Sequence, residues 1–166
     1  MRRVIVNSTP LIVLCNVGRL HLLKHLYQEI FIPRAVFDEV TAKPDSACQQ
    51  VRDNLDWIHV ERIQDTMQKR MYQAKLHDGE VEVMILAQQK PPADLVILDD
   101  GAAKRTAKFL GLTVTGTLGV LLKAKRTGLI PSVAPVLRDL QSNGFYVTKN
   151  VRDMVLASAG EAQRRK

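Results

Sequence analysis

A chain of 166 residues, 46% hydrophobic and 25% charged, has the composition of one globular domain that can bury a hydrophobic core. Lysine and arginine outnumber aspartate and glutamate by 24 to 17, and the net charge of +7 favours a polyanionic partner such as nucleic acid. Aromatic residues make up only 5% of the chain, which argues against recognition of nucleic acid by base stacking on an aromatic platform.

The sequence shows no pattern of export or membrane insertion. The first apolar run, residues 4–6, is too short for a signal peptide, and no apolar run reaches the 18 residues of a membrane span. Cys15 and Cys48 lack the spacing of a metal site, so we expect two buried, reduced thiols. These features predict a cytoplasmic protein with no membrane contact.

The first half of the chain alternates short apolar runs with helical patterns. Ser8 or Thr9 can cap the first helix, with Pro10 in its first turn. The helical pattern nearest the middle of the chain is mostly polar and therefore predicts an exposed helix. The predicted strands are 4–6, 30–32 and 57–60, and the predicted helices are 11–17, 20–26, 34–41, 46–54 and 63–75.

The second half continues the alternation with a helix that is apolar nearly all round, residues 79–89, which predicts a buried helix. Alternating strands and helices predict an α/β fold with a mostly parallel sheet of four to five strands. We expect a single domain over residues 1–160 and a frayed basic tail over residues 161–166. The other predicted elements are strands 95–98 and 113–114 and helices 102–110, 116–126, 132–143 and 150–159.

Polar side chains follow three of the predicted strands, and acidic side chains open the buried helix. Asn7 follows the first strand, Asp99 and Asp100 follow the strand 95–98, and Thr115 follows the strand 113–114. Glu80 lies in the first turn of the helix. The carboxyl ends of parallel strands lie along the same edge of the sheet. A helix that leads into the next parallel strand runs in the opposite direction and therefore begins near that edge. The polar side chains after the strands and Glu80 should therefore face one crevice. Clustered oxygen ligands suit Mg²⁺ or Mn²⁺, which can activate water to attack a phosphodiester.

Each of these residues also has a structural interpretation. Asp78 fits an N-cap, Glu80 complements the helix dipole, and Asp99 with Asp100 fits an N-cap pair for the next helix. Glu82 is harder to explain in this way because it lies inside an otherwise apolar helix. The remaining structural interpretations are an Asx turn from Asn7 to Thr9 and a solvated Glu39.

Three basic residues follow the aspartate pair on the predicted helix 102–110. Lys104 and Lys108 lie one turn apart on a shared face, with Arg105 beside them, and could contact RNA phosphates or form an ordinary solvated face. The four histidines have no zinc spacing and are interpreted as structural or surface residues. The nucleotide-binding motifs GxxxxGK[ST] and GxGxxG are absent, so nothing supports nucleotide binding of those two types. The motifs GxSxG, of serine hydrolases, and HExxH, of zinc proteases, are absent as well.

Several segments over residues 4–161 together resemble the PIN-domain family, and in particular its VapC-like subfamily. That resemblance implies a three-layer α/β/α fold and a metal-dependent ribonuclease that binds RNA. It further implies a toxin held inactive by an antitoxin protein, and a homodimer. The segments are VIVNSTPLI at 4–12, IPRAVFDEV at 32–40, HDGEVEVMILA at 77–87, VILDDGAAKRTAKFLGL at 96–112 and GTLGVLLKAKRTGLI at 116–130.

Carried over by position, the resemblance implies a site in which Glu39, Glu80, Asp99 and Asp100 are catalytic. Asn7, Glu80, Asp99 and Asp100 would ligate Mg²⁺ or Mn²⁺, with Glu82 nearby. The chain departs from the family where Asn7 replaces the usual aspartate, which removes one negative charge. Two hypotheses follow: an active endoribonuclease, or an impaired module that only binds RNA or protein. A phosphate-accepting receiver domain needs an acidic pair after the first strand, which this chain lacks.

Overall fold

The computed structural model describes residues 2–64, 69, 76–89 and 91–161, and its centre is a five-stranded, all-parallel sheet. The strand order is β3-β2-β1-β4-β5, and the register pairs Ile5 with Phe31 on one side and with Val96 on the other. The predicted α/β class with a parallel sheet is confirmed. The strands are β1 (Val4–Val6), β2 (Ile30–Pro33), β3 (Ile58–Glu61), β4 (Leu95–Ile97) and β5 (Val114–Thr115).

Helices connect the strands and flank the sheet. The prediction that the helix after residue 78 is buried holds, because its run from Val81 to Ala87 is buried throughout. The helices in the described part of the chain are α1 (Ser8–Asn16), α2 (His21–Tyr27), α3 (Arg34–Val40), α4 (Ser46–Arg52), α5 (Asp78–Gln88), α6 (Gly101–Phe109), α7 (Thr117–Arg126), α8 (Ala134–Ser142) and α9 (Lys149–Ser158).

The core lies around β1 and β4, whose side chains are buried on both faces of the sheet. A strand that is covered on both faces buries every one of its side chains, so it requires a continuous apolar run such as Val4–Val6. Each fully buried valine, leucine or isoleucine contributes about 1.5–3 kcal/mol of hydrophobic stabilisation. The helix α5 packs against α3, β1 and β2, so its first turn comes close to the end of β1.

The direction of the chain across the sheet reverses between β1 and β4. From β1 the chain moves outward through β2 and β3, and it then returns to form β4 and β5 on the other side of β1. The backbone N–H of Asn7 donates to the carbonyl of Ile97 at 2.9 Å, which joins the carboxyl ends of the two strands. Open α/β sheets bind ligands at such a reversal, so this edge is the expected place for a site.

The structure differs from the predictions for the N-terminal caps of two helices, α5 and α1. His77, not Asp78, occupies the N-cap position of α5, because that helix already includes Asp78. Asn7 occupies the N-cap position of α1, which includes Ser8 and Thr9, but its side chain makes no capping hydrogen bond, so the Asx turn is absent. Most residues of the predicted helix 63–75 and of the tail 161–166 lie outside the described residues. No helix within the described residues is long and apolar enough to span a membrane.

Candidate functional site

A pocket of about 140 Å³ lies at the carboxyl ends of β1 and β4, where the direction of the chain reverses. Its walls come from the start of α1, the last turn of α3, the start of α5 and the residue before α6. Four of the predicted site residues meet there. The pocket is lined by Asn7, Ser8, Thr9, Glu39, His77, Glu80 and Asp100.

Two buried oxygens in this pocket have no hydrogen-bond partner. Asn7 is 4% exposed and Glu80 is 6% exposed, and neither Oδ1 of Asn7 nor Oε2 of Glu80 accepts a hydrogen bond. Buried polar atoms in folded proteins are almost always hydrogen-bonded, so each exception needs an explanation. Two such oxygens on one small pocket indicate a site that receives a cation or water.

Burial raises the pKa of the Glu80 carboxyl group above its ordinary value, and the negative charge of Asp100 raises it further. A hydrogen bond from the backbone N–H of His77 to Oε1 of Glu80, at 3.1 Å, acts in the opposite direction. Two carboxylates on one pocket repel each other, and a cation bound between them would relieve that repulsion. The electrostatics of the pocket therefore favour a bound cation.

Asp100 and Glu39 complete the acidic part of the pocket. Asp100 caps α6, because its Oδ1 accepts from the N–H of Ala103 at 2.8 Å, and it also lines the pocket. Glu39 is exposed and comes from α3. A side-chain carbon on Gly79 would lie 3.0 Å from Oε2 of Glu39 and 3.5 Å from Oδ1 of Asn7. The first turn of α5 therefore lies directly beside both oxygens.

Asp99 and Glu82 lie outside the pocket, although the sequence places them beside Asp100 and Glu80. The carboxylate of Asp99 accepts from the N–H of Thr117 at 2.8 Å and from its hydroxyl at 2.6 Å. Oε1 of Glu82 accepts from the N–H of Ala35 at 3.0 Å, and Oε2 pairs with Lys69 at 2.9 Å. Both oxygens of each carboxylate are therefore bound within the protein.

The predicted basic residues lie on α6, directly after Asp100. Arg105 and Lys108 are exposed, whereas Lys104 is half-buried. A side-chain carbon on Gly116 would lie 2.8 Å from the Lys104 ammonium, which places that cation at the end of β5. Within the described residues none of the three forms an ion pair, and the same glycine carbon would lie 2.7 Å from Oδ1 of Asp99, so the Lys104 ammonium lies near that carboxylate.

Sequence reasoning missed three residues that line the pocket, Ser8, Thr9 and His77. His77 was interpreted as a structural or surface residue because it has no zinc spacing with another histidine. The available signal was its position directly before the helix that carries Glu80. Ser8 and Thr9 could have been found in the same way, since they follow Asn7 at the end of β1.

The donor set suits a hard divalent cation better than zinc. Across the described residues, no three His, Cys, Asp or Glu side chains are placed to hold a metal ion together. The oxygens facing the pocket come instead from the carboxylates of Glu80 and Asp100 and from the amide of Asn7. Mg²⁺ and Mn²⁺ are commonly bound through one or two carboxylates with water completing the shell, and the two unpaired oxygens fit that arrangement.

A parallel α/β sheet carries an acidic pocket at its reversal point and a basic helix beside it. A family model described as PIN domain matches residues 3–161, and the chain belongs to the PIN-domain family. The resemblance seen in the sequence is thereby confirmed at the level of the family. PIN domains generally use divalent metal ions and commonly bind RNA. A comparison with curated proteins found no match.

Proposed function

We propose that the protein is a Mg²⁺- or Mn²⁺-dependent endoribonuclease and the toxin of a type II toxin–antitoxin pair. The observation that carries this proposal is the pair of buried, unpaired oxygens on Asn7 and Glu80 in a pocket that Asp100 also lines. Membership of the PIN-domain family supports nuclease activity in general. The cation, the RNA substrate and the toxin role are the parts that the proposal adds.

Asn7, Glu80 and Asp100 would hold the cation. When bound, a Mg²⁺ or Mn²⁺ ion lowers the pKa of water and stabilises negative charge on a phosphate. Burial and the charge of Asp100 raise the pKa of Glu80, so a cation bound beside it would stabilise its charged form. The carboxylate of Glu39 forms no hydrogen bond within the described residues, and it would accept the proton of the attacking water at Oε2.

The basic residues of α6 would bind the RNA backbone. Lys104, Arg105 and Lys108 follow Asp100 on the same helix and are free of ion pairs within the described residues. Contacts between such cations and phosphates release counterions, so binding weakens as salt concentration rises. The net charge of +7 acts in the same direction.

The test is cleavage of RNA in the presence of Mn²⁺ or Mg²⁺ by the natural protein, Glu80→Gln and Asp100→Asn. Glutamine can still accept the hydrogen bond from the His77 N–H, and asparagine caps a helix as well as aspartate does. Both variants should therefore fold. We expect each to lose cleavage by roughly 100-fold or more, since each removes a charge that holds the cation.

The matched control is Asp38→Asn on α3. Asp38 is the exposed neighbour of Glu39, pairs with Arg34 at 3.0 Å and does not line the small pocket. This variant should cleave RNA like the natural protein, and a metal chelator should stop both. Equal cleavage by all four proteins, or cleavage that survives the chelator, would overturn the proposal.

A second candidate function is a binding module that no longer cleaves, and Asn7 is the observation that favours it. The amide of Asn7 supplies a neutral oxygen where the family usually has a carboxylate, so the pocket holds a cation less tightly. Asn7→Asp separates the two functions. If the natural protein is inert and Asn7→Asp gives metal-dependent cleavage, the binding module is correct. Cleavage by the natural protein eliminates it.

The toxin role requires a protein partner. Several large hydrophobic side chains are exposed, among them Phe109 at 91%, Tyr146 at 85% and Met154 at 68%, which supports contact with an antitoxin or a second copy. The buried free thiols of Cys15 and Cys48 support the proposed cytoplasmic location. A short neighbouring reading frame with a DNA-binding motif, whose product blocks toxicity on co-expression, is the expected finding. Absence of any growth defect on expression would contradict the toxin role.

A further inference from the structure

The net positive charge of the chain is carried by one continuous stretch of sequence. Residues 101–138, the basic segment, contain seven lysines and arginines and no aspartate or glutamate, so this segment alone accounts for the net charge of +7. The basic segment begins with α6, directly after Asp100, which lines the acidic pocket. Positive charge concentrated beside the proposed cleavage site is the electrostatic footprint of a protein that binds a polyanion.

The outward face of α6 combines cations with one aromatic ring. Ala103 and Ala107 are fully buried and fix one face of the helix to the core, which leaves Arg105, Lys108 and Phe109 exposed to solvent. Phe109 is 91% exposed, more than any other large hydrophobic side chain in the described residues. A phenylalanine ring left in water forgoes about 1.5–3 kcal/mol of hydrophobic stabilisation, which contact with a ligand can recover.

Arg105 lies between this ring and the acidic pocket. It precedes Phe109 by four residues, or one turn, so the two side chains are neighbours on the helix surface. A side-chain carbon on Gly101 would lie 3.5 Å from Nη1 of Arg105, which places the guanidinium beside the first residue of α6, directly after Asp100. Within the described residues Arg105 forms no ion pair. A cation and a ring therefore follow one another along α6 from the edge of the pocket.

The length of α6 sets the distance between the pocket and the ring. Asp100 immediately precedes the helix and Phe109 is its last residue, so the two are about 13 Å apart along the axis at a rise of about 1.5 Å per residue. Nucleotides stacked along one strand are about 3.4 Å apart, so about four of them span this distance. A strand that is cleaved at the pocket and follows α6 therefore brings a base to Phe109.

We propose that Phe109 stacks on an unpaired base of single-stranded RNA, while Arg105 and Lys108 contact the phosphates between that base and the cleaved bond. The inference rests on the proposed function, because it takes the acidic pocket as the point of cleavage. It adds the form of the substrate, since a base can stack on a protein ring only when it is not enclosed in a duplex. One ring is not a platform of several aromatic residues, and it accepts any base because every base has a face that can stack.

A protein surface is the competing partner for Phe109. The core of a protein interface is apolar and depleted of charged residues. Phe109 is instead the one large hydrophobic side chain exposed on α6, every residue of which the structure describes, and Arg105 and Lys108 lie beside it. Tyr146 and Met154, which are also exposed, lie outside the basic segment. A single ring among cations therefore favours single-stranded RNA over a protein at this position.

The experiment measures the affinity of the full chain for a labelled RNA of about ten nucleotides, either single-stranded or annealed to its complement. Chelator is present throughout, so that binding is measured apart from metal-dependent cleavage. Phe109→Ala should weaken binding of the single strand by roughly tenfold or more, the effect of losing one stacked base, and should leave binding of the duplex unchanged. Because Phe109 is almost fully exposed, the variant should keep the melting temperature of the natural protein.

Further variants separate stacking from charge and from apolar contact. Phe109→Trp should bind the single strand as tightly as the natural protein, whereas Phe109→Leu, which keeps an apolar side chain without a ring, should not. Tyr146→Ala removes an aromatic ring that is 85% exposed outside the basic segment and should leave RNA binding unchanged. Lys108→Gln should weaken binding of the single strand and the duplex alike and reduce the salt dependence, because it removes a phosphate contact. Phe109→Ala should leave the salt dependence unchanged, since the ring carries no charge.

Failure of this inference is distinguishable from failure of the proposed function. If the natural protein cleaves RNA and Phe109→Ala binds the single strand equally well, the stacking role is overturned and the nuclease stands. If binding of the single strand depends on Phe109 in a protein that does not cleave RNA, the stacking role is supported and the proposed cleavage is overturned. Equal weakening of single strand and duplex, equal weakening by Tyr146→Ala, or a change in oligomeric state on Phe109→Ala without a change in RNA affinity would each show that Phe109 does not stack on a base.

Discussion

In two pairs of acidic residues that are neighbours in sequence, the fold gives the two members of each pair different surroundings. Glu80 and Glu82 lie two residues apart on α5, and Asp99 and Asp100 are adjacent after β4. In each pair one residue faces the small pocket, and the other has both oxygens bound within the protein. The difference shows that acidic character alone does not identify the residues that line the pocket.

Glu82 and Asp99, whose carboxylates are hydrogen-bonded within the protein, hold helices beside the pocket that Glu80 and Asp100 line. Glu82 binds the N–H of Ala35 at the start of α3, one turn before Glu39 on the same helix. Asp99 binds Thr117 at the start of α7 and so fixes that helix to the end of β4. We infer that Glu82 and Asp99 support the site by holding helices, while Glu80 and Asp100 act within it.

The largest stability effect should come from Asp99→Ala. The substitution removes two hydrogen bonds from a charged acceptor and leaves the N–H and hydroxyl of Thr117, a fully buried residue, without a partner. Losses of this kind cost about 2–4 kcal/mol. Urea-induced unfolding measured in chelator should show this decrease in the free energy of unfolding.

Asp100→Ala is the comparison for that measurement. It removes a cap from an exposed position, where the Ala103 N–H can turn to water, so we expect about 0.5–2 kcal/mol. If Asp100→Ala destabilised the protein more than Asp99→Ala does, the division of this pair into a supporting and an active residue would be wrong.

The sequence predicted the edge of the site but not this division. Apolar runs such as Val4–Val6 predicted the strands, and the ends of those strands predicted that Asn7, Glu80 and the Asp99–Asp100 pair would face one crevice. Adjacent residues after a strand point in different directions, however, and what binds Asp99 is Thr117, 18 positions later. No local pattern contains that contact, because it depends on how α7 packs.

Glu82 shows the same limit at longer range. Its partners are Ala35, 47 positions earlier, and Lys69, 13 positions earlier. The sequence showed only that a carboxylate in an apolar helix needs an explanation, and a ligand role and a structural role both satisfied that need. The contact between α5 and α3 decides between them, and it is a property of the packed fold.

A smaller stability effect is expected for Glu82→Gln. The glutamine oxygen can still accept from the Ala35 N–H, but the partly buried ion pair with Lys69 is lost. The hydrogen bond from Lys69 keeps the Lys69 pKa raised, which is consistent with a stabilising pair. We expect a loss of about 1–2 kcal/mol in the free energy of unfolding.

A double-mutant cycle with Lys69→Gln measures this pair directly. The coupling should account for most of the Glu82→Gln effect, and RNA cleavage by folded Glu82→Gln should stay close to that of the natural protein. Loss of cleavage as deep as that of Glu80→Gln, at a temperature where the variant is folded, would place Glu82 in the reaction instead.

The smallest expected effect on stability is its pH dependence without metal, which tests the Glu80 carboxyl group most directly. Because burial and Asp100 raise the pKa of Glu80, the folded protein keeps this proton at pH values where the unfolded chain has lost it. The stability from Glu80 is therefore full below its unfolded pKa and is lost as pH rises through the folded pKa. Glu80→Gln has no such proton, so its melting temperature should fall less over that interval.

Mn²⁺ should raise the melting temperature of the natural protein near neutral pH but not that of Glu80→Gln, since a ligand stabilises only the state that binds it. Parallel pH profiles, or an equal response to Mn²⁺, would show that Glu80 is as fully satisfied by the fold as Glu82.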